Sequence, residues 1–201
     1  MTQEAVASGS SSENLRALVD KGAGYATLSA YLDALTPEAR LAEMLGITHG
    51  RVGKLYDCVK DAPPLVIDDF FPKDTPDDET LIFEGRNSLP MFTRFQKRFC
   101  RRAGVIVGYN HQAMGAFTGP GYFVLTEADD THPGEIVMDY TKAPPFEPPG
   151  WPAYKPNESG LSRLVYAHMK DYCRRVARGV IIGSAFKKGA EEGAFFSLTR
   201  G

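Results

Sequence analysis

Apolar positions change their spacing twice along this chain, and the changes divide it into three regions. From Glu13 to Ala62 the spacing is helical. Leu15, Leu18 and Val19 form one face closed by Gly22, and Leu28, Tyr31, Leu32 and Leu35 form a second. Thr36-Pro37-Glu38 opens a third helix bearing Leu41, Met44 and Leu45, with Gly46 as its stop, and Val52, Leu55, Tyr56 and Val59 mark a fourth. Ala62-Pro63-Pro64 ends this pattern, and Leu65 to Pro76 reads as an extended connector. Short β-branched or aromatic runs follow at Thr80–Glu84, Val105–Tyr109, Gln112–Phe117, Tyr122–Thr126, Glu135–Thr141, Val180–Phe186 and Ala194–Thr199, each bounded by turn residues.

Two further segments read as helices. In GRNSLPMFTRFQKRFCRR (85–102), Ser88 suits an N-cap, Pro90 a first turn, and Phe92, Phe95 and Phe99 recur at helical spacing. Asn157 or Ser159 caps a long helix whose stripe is Leu161, Leu164, Val165, His168, Met169, Tyr172 and Val176. Between them, residues 142–156 hold six prolines and the chain's single Trp, Trp151, which reads as a lid or a docked belt. The expected architecture is α+β. A tail (1–12) and a helical N-terminal subdomain (13–62) precede an antiparallel sheet domain (63–201), whose six or seven strands form a barrel-like sheet with one long helix before the last hairpin.

Composition narrows the function classes. The chain has 201 residues, 43% hydrophobic and 24% charged, and a net charge of −2, which excludes a globally basic nucleic-acid binder. Residues 61–79 carry seven acids against one Lys, while 86–102 carry six bases and no acid, so the two segments are expected to neutralise each other. Left free, the bases Arg94, Lys97, Arg98, Arg101 and Arg102 would form an interaction face for an acidic protein partner or a phosphate backbone. Cys58, Cys100 and Cys173 are odd in number and widely spaced, which argues against a disulfide framework or a zinc site and fits a reducing, cytoplasmic setting. The four His residues lack metal-ligand spacing, no phosphate-binding glycine loop or nucleophile elbow is present, and no window is apolar enough for a transmembrane segment. Neither a cofactor nor a metal is implied.

The last hairpin supplies a resemblance. Ile182-Gly183-Ser184, then Gly189, then GAFFSLTR (193–200) resembles the final strand pair of lipocalin-like proteins, and is similar to that of the plastid lipid-associated (fibrillin) family. The match covers roughly one-tenth of the chain. It implies a calyx-like barrel that binds lipid or another apolar molecule, and it carries over no catalytic residue. The aromatic content of the strands leads to the same expectation. Phe92, Phe95, Tyr109, Tyr122, Met138, Tyr140 and Trp151 would form apolar walls for a small apolar molecule, with Arg86, His111 and Asp139 orienting its polar end. Alternatively, His111 with Asp139 or Tyr140 would form an acid/base pair of a small enzyme, provided those side chains converge. His168, on an apolar stripe, reads first as a buried core residue.

Overall fold

A computed structural model describes residues 13–90, 93–111 and 119–201. Four helices come first: α1 (Leu15–Lys21), α2 (Tyr25–Asp33), α3 (Pro37–Gly46) and α4 (Gly50–Cys58). Their boundaries follow local chemistry. The Asn14 side chain accepts from Ala17 N–H at the start of α1, Gly22 closes it at φ 73°, and Thr36 caps α3 with Pro37 in its first turn. A one-turn helix, α5 (Ile67–Phe70), follows.

Eight strands come next: β1 (Thr80–Asn87), β2 (Arg94–Arg102), β3 (Val105–His111), β4 (Phe123–Glu127), β5 (Ile136–Asp139), β6 (Met169–Ala177), β7 (Val180–Lys187) and β8 (Ala190–Arg200). Each pairs antiparallel with the next and β8 returns to β1, so the sheet closes into an up-and-down barrel without exposed edges. Two hairpins turn on pairs of residues with positive φ, Ala103-Gly104 and Lys188-Gly189, as the twist of two-residue hairpins requires. The short α6 (Ser162–Val165) lies between β5 and β6.

Three expectations are corrected. The strands number eight among the described residues, not six or seven. The aromatic-basic segment is strand β2 rather than a helix: Phe95, Lys97 and Phe99 recur every second residue, and a buried Lys between two rings hides that alternation from a hydrophobicity reading. The long helix after Asn157 is instead α6 followed by β6. Both faces of β6 are covered, so its apolar positions lose the period of two, while Leu161 and Leu164 of the supposed stripe are exposed. The Gln112–Phe117 strand expectation lies outside the described residues.

Two apolar clusters hold the fold. The helices α1–α4 bury Leu15, Leu28, Leu32 and Leu55 against the outer wall at Val176, Val180 and Ile182. Inside the barrel, α5 and its flanks plug one end. Phe70 reaches Phe83 and Phe99 at ring-centroid distances of 6.1 and 5.5 Å, and Arg175 of the wall grips Asp69. The Arg101 guanidinium lies over the Phe71 ring. Each fully buried Phe contributes about 1.5–3 kcal/mol of burial. Three interior rings lie flat on glycines directly across the ladder: Phe95 opposite Gly85, Phe123 opposite Gly108, and Phe196 opposite Gly183. That pairing lets large rings fill a narrow barrel.

The charge asymmetry resolves as expected in part. Arg101 pairs with Asp77 at 2.7 Å and Arg102 with Asp78 at 2.8 Å, so the acidic connector neutralises the far end of β2.

Candidate functional site

At the end of the barrel opposite the α5 plug, the interior turns polar. Strand alternation places Lys97 of β2 inward, directly across from Asn110 of β3, and Asp171 of β6 inward opposite Met138 of β5. Tyr140, one residue past β5, completes the group. Lys97 Nζ lies 2.5 Å from the Tyr140 hydroxyl and 2.9 Å from Asp171 Oδ2. Asn110 Nδ2 donates to the Tyr140 oxygen at 3.1 Å, and the phenol donates to Asp171 Oδ2 at 3.1 Å. The same amide donates to the Gly121 carbonyl, which fixes the Asn110 rotamer.

All four side chains are buried, with Lys97 and Asp171 each 2% exposed. One ammonium faces one carboxylate, so the tetrad is neutral as a whole. Phe196, Phe123 and Tyr140 rings lie 4.6, 5.0 and 5.1 Å from Lys97 Nζ and solvate it on its apolar sides. Burial, and then the Asp171 charge, push the Tyr140 phenol well above the ordinary tyrosine range, which keeps its proton in place.

The tetrad lines one side of a cavity of about 180 Å³ whose other walls are Phe95, Phe196, Tyr166 and Met169. Leu89 and Val165 also line it and are 47% and 39% exposed, so the cavity reaches solvent between the β1–β2 connection and α6. It offers an apolar passage ending at a neutral hydrogen-bonding group.

Of the residues expected from sequence to form a site, Phe95 and Tyr140 line this cavity. Met138 is packed in the barrel core. Tyr109, Tyr122 and Trp151 come together elsewhere, against the outer wall. Trp151 packs at a tilt against Tyr109 with centroids 4.6 Å apart and donates to Thr80 Oγ1, while the Tyr122 hydroxyl donates to the Pro152 carbonyl. The proline-rich segment is thus a belt docked on the barrel's outside. Arg86 donates to the Ile47 carbonyl and to Thr93, tying the barrel to the helical layer. Phe92 lies outside the described residues.

His111 pairs with Gln96 on the outer face, 3.4 Å from the Tyr109 hydroxyl, with its pKa lowered by partial burial and then by Arg98. Asp139 also faces outward, accepting from Thr141 N–H and Oγ1 and lying near Lys142 and Lys170. Tyr140 points inward, so the barrel wall separates it from His111. The convergence that an acid/base pair on these residues requires does not occur among their contacts. His168 is exposed at φ 59°, where the chain enters β6, and is not a core residue.

Lys97, Asn110 and Asp171 were missed by sequence reading. Lys97 was counted with its basic neighbours as a surface charge. The available signal was its even spacing from Phe95 and Phe99, which puts an ammonium on the aromatic face of a strand. The segment KDYC (170–173) offers no comparable clue, because Asp171 enters the barrel on a strand with no clean alternation.

Among the described residues there is no group of three His, Cys, Asp or Glu arranged to hold a metal, and no helix is long and apolar enough to cross a membrane. No family model, curated protein or solved structure matches the chain.

Proposed function

We propose that this barrel binds a compact small molecule with an apolar body and a neutral hydrogen-bonding end. The observation that carries the reading is the solvent-reaching cavity that ends at the Lys97–Asn110–Tyr140–Asp171 tetrad. Its size sets the class of ligand. A dry cavity of about 150 Å³ accommodates benzene, so a volume of about 180 Å³ suits a single ring or a short branched chain rather than a long acyl chain. The expectation of a lipid-like ligand therefore narrows to small apolar molecules. Phe70, Phe83 and Phe99 already fill the remaining interior. Topology supports the reading too, since eight-stranded up-and-down barrels, lipocalins among them, have interiors wide enough to hold one small ligand.

Charge sets the polar end. The Lys97 ammonium is already matched by Asp171. An anionic ligand would bring an uncompensated buried charge, while a hydroxyl or carbonyl would find donors and acceptors without disturbing the pair. Calorimetric titration with benzyl alcohol and with benzoate tests this reading. Benzyl alcohol is expected to bind at least about tenfold more tightly, a difference of about 1.4 kcal/mol. Ala185→Leu, which places a larger side chain in the cavity opposite Asp171, is expected to abolish binding with the circular dichroism spectrum unchanged. Tighter binding of benzoate, or binding that survives the filled cavity, would refute the proposal.

A further inference from the structure

Lysine seldom lies inside a protein, and a buried ion pair is often no more stabilising than a hydrophobic pair of equal volume. The placement of Lys97 therefore calls for an account beyond stability. Its amine sits at the end of an apolar passage, donating to the Tyr140 phenol oxygen at 2.5 Å and to the Asp171 carboxylate at 2.9 Å. Those are the groups that condensation of an amine with a carbonyl compound requires: a nucleophile, a base to take its proton, and an acid for the departing oxygen.

We propose that Lys97 is a covalent attachment point for compact aldehydes and ketones, held as an iminium within the barrel. The proposal rests on the cavity reading above and specifies the functional group of its ligand. A carbonyl compound filling the passage keeps solvent out of it, which favours transfer of one ammonium proton to Asp171 Oδ2. The freed Nζ electron pair then forms a bond to the carbonyl carbon. The carbonyl π electrons move to oxygen, which takes the Tyr140 proton, and the phenolate takes one proton from the adduct's ammonium nitrogen, leaving a neutral carbinolamine beside a protonated Asp171. In the second stage the nitrogen lone pair forms the C=N bond as the hydroxyl leaves. Tyr140 protonates that hydroxyl, so it departs as water, and the phenolate recovers its proton from Asp171, which is left as a carboxylate facing the iminium.

The net change is ammonium plus carbonyl to iminium plus water, with no oxidant or reductant. One positive charge faces Asp171 before and after, so the neutrality of the tetrad is preserved. The phenol is suited to its part because burial and the neighbouring carboxylate hold its proton on.

The test is trapping on the intact protein. Benzaldehyde with sodium cyanoborohydride reduces any iminium to a stable secondary amine, which peptide mapping then locates. Lys97 is expected to gain one benzyl group at least about tenfold faster than the exposed Lys73, despite its burial. Tyr140→Phe, which retains the Lys97–Asp171 pair, is expected to slow labelling at Lys97 about a hundredfold while labelling at Lys73 stays the same. If benzyl alcohol and benzaldehyde both bind but Lys97 is modified no faster than Lys73, the covalent proposal fails and the cavity reading stands. If neither molecule binds, both fail together.

Discussion

Removing the Lys97 ammonium is the sharpest test of the interior tetrad, because its effect can be worked out from the structure. In Lys97→Met, Asp171 keeps its place inside the barrel, 2% exposed and facing aromatic rings, but loses its counter-charge. The protein then has two options. It can hold an unpaired buried carboxylate, which costs about 3–5 kcal/mol when one partner of a buried pair is removed. Alternatively it can protonate that carboxyl, and keeping a carboxyl of ordinary acidity (about 3.9) neutral at pH 7 costs about 1.4 kcal/mol per pH unit, or about 4 kcal/mol. The Tyr140 hydroxyl already donates to Asp171 in the wild type and so offsets none of this, and the expected loss at pH 7 is about 4 kcal/mol. The second option makes the loss depend on pH in a definite direction. The folded variant favours the protonated carboxyl, so its stability is fully present below the ordinary carboxylate range and is lost as pH rises. The deficit should therefore shrink to about 1.5 kcal/mol at pH 5. Urea unfolding of both proteins at pH 5 and pH 7 measures it. Lys97→Met combined with Asp171→Leu should recover most of the loss, because apolar replacement of a buried pair is often neutral or stabilising. A deficit below about 1 kcal/mol at pH 7, or one equal at the two pH values, would show that Lys97 and Asp171 do not act as a buried ion pair.

Two other perturbations probe the barrel itself. A Cβ at Gly108 would lie 2.3 Å from the Phe123 ring and 2.8 Å from the Arg98 carbonyl oxygen. Gly108→Ala should therefore cost about 1–3 kcal/mol by overpacking, and Phe123→Leu in the same chain should cost less than it does alone; strict additivity in denaturant titration would contradict the direct apposition. The Tyr140 phenol is raised by burial first and by Asp171 second, so its protonated form stabilises the fold fully below about pH 10, and that stability is lost as pH rises through the folded value. Between pH 9 and the alkaline transition, stability measured by thermal denaturation should fall more steeply with pH in the wild type than in Tyr140→Phe, and parallel curves would argue against a buried phenol.

How far the sequence reaches depends on the range of the interactions involved. Gly22, Thr36 and Pro37 start and stop helices through local geometry within a few residues, and those boundaries were legible from the chain. Turn glycines and β-branched runs likewise marked β1, β3, β4, β5, β7 and β8, and the opposed charges of 61–79 and 86–102 announced the Arg101–Asp77 and Arg102–Asp78 pairs. Reading failed where a side chain's environment is set by distant strands. Lys97 looked like one base among many, and only closure of β2 beside β3, with β6 across the interior, turns it toward Asp171, 74 positions away. Tyr109, Tyr122 and Trp151 looked like cavity walls, yet the belt draws them to the outside. The sequence alone therefore determined the helical layer, most of the strands and their antiparallel order of turns, all consequences of short-range hydrogen bonding and side-chain period. Which face of each strand became the interior, and so which four polar groups meet there, was decided by barrel closure, because the inward side of a strand is defined only once its neighbours surround it.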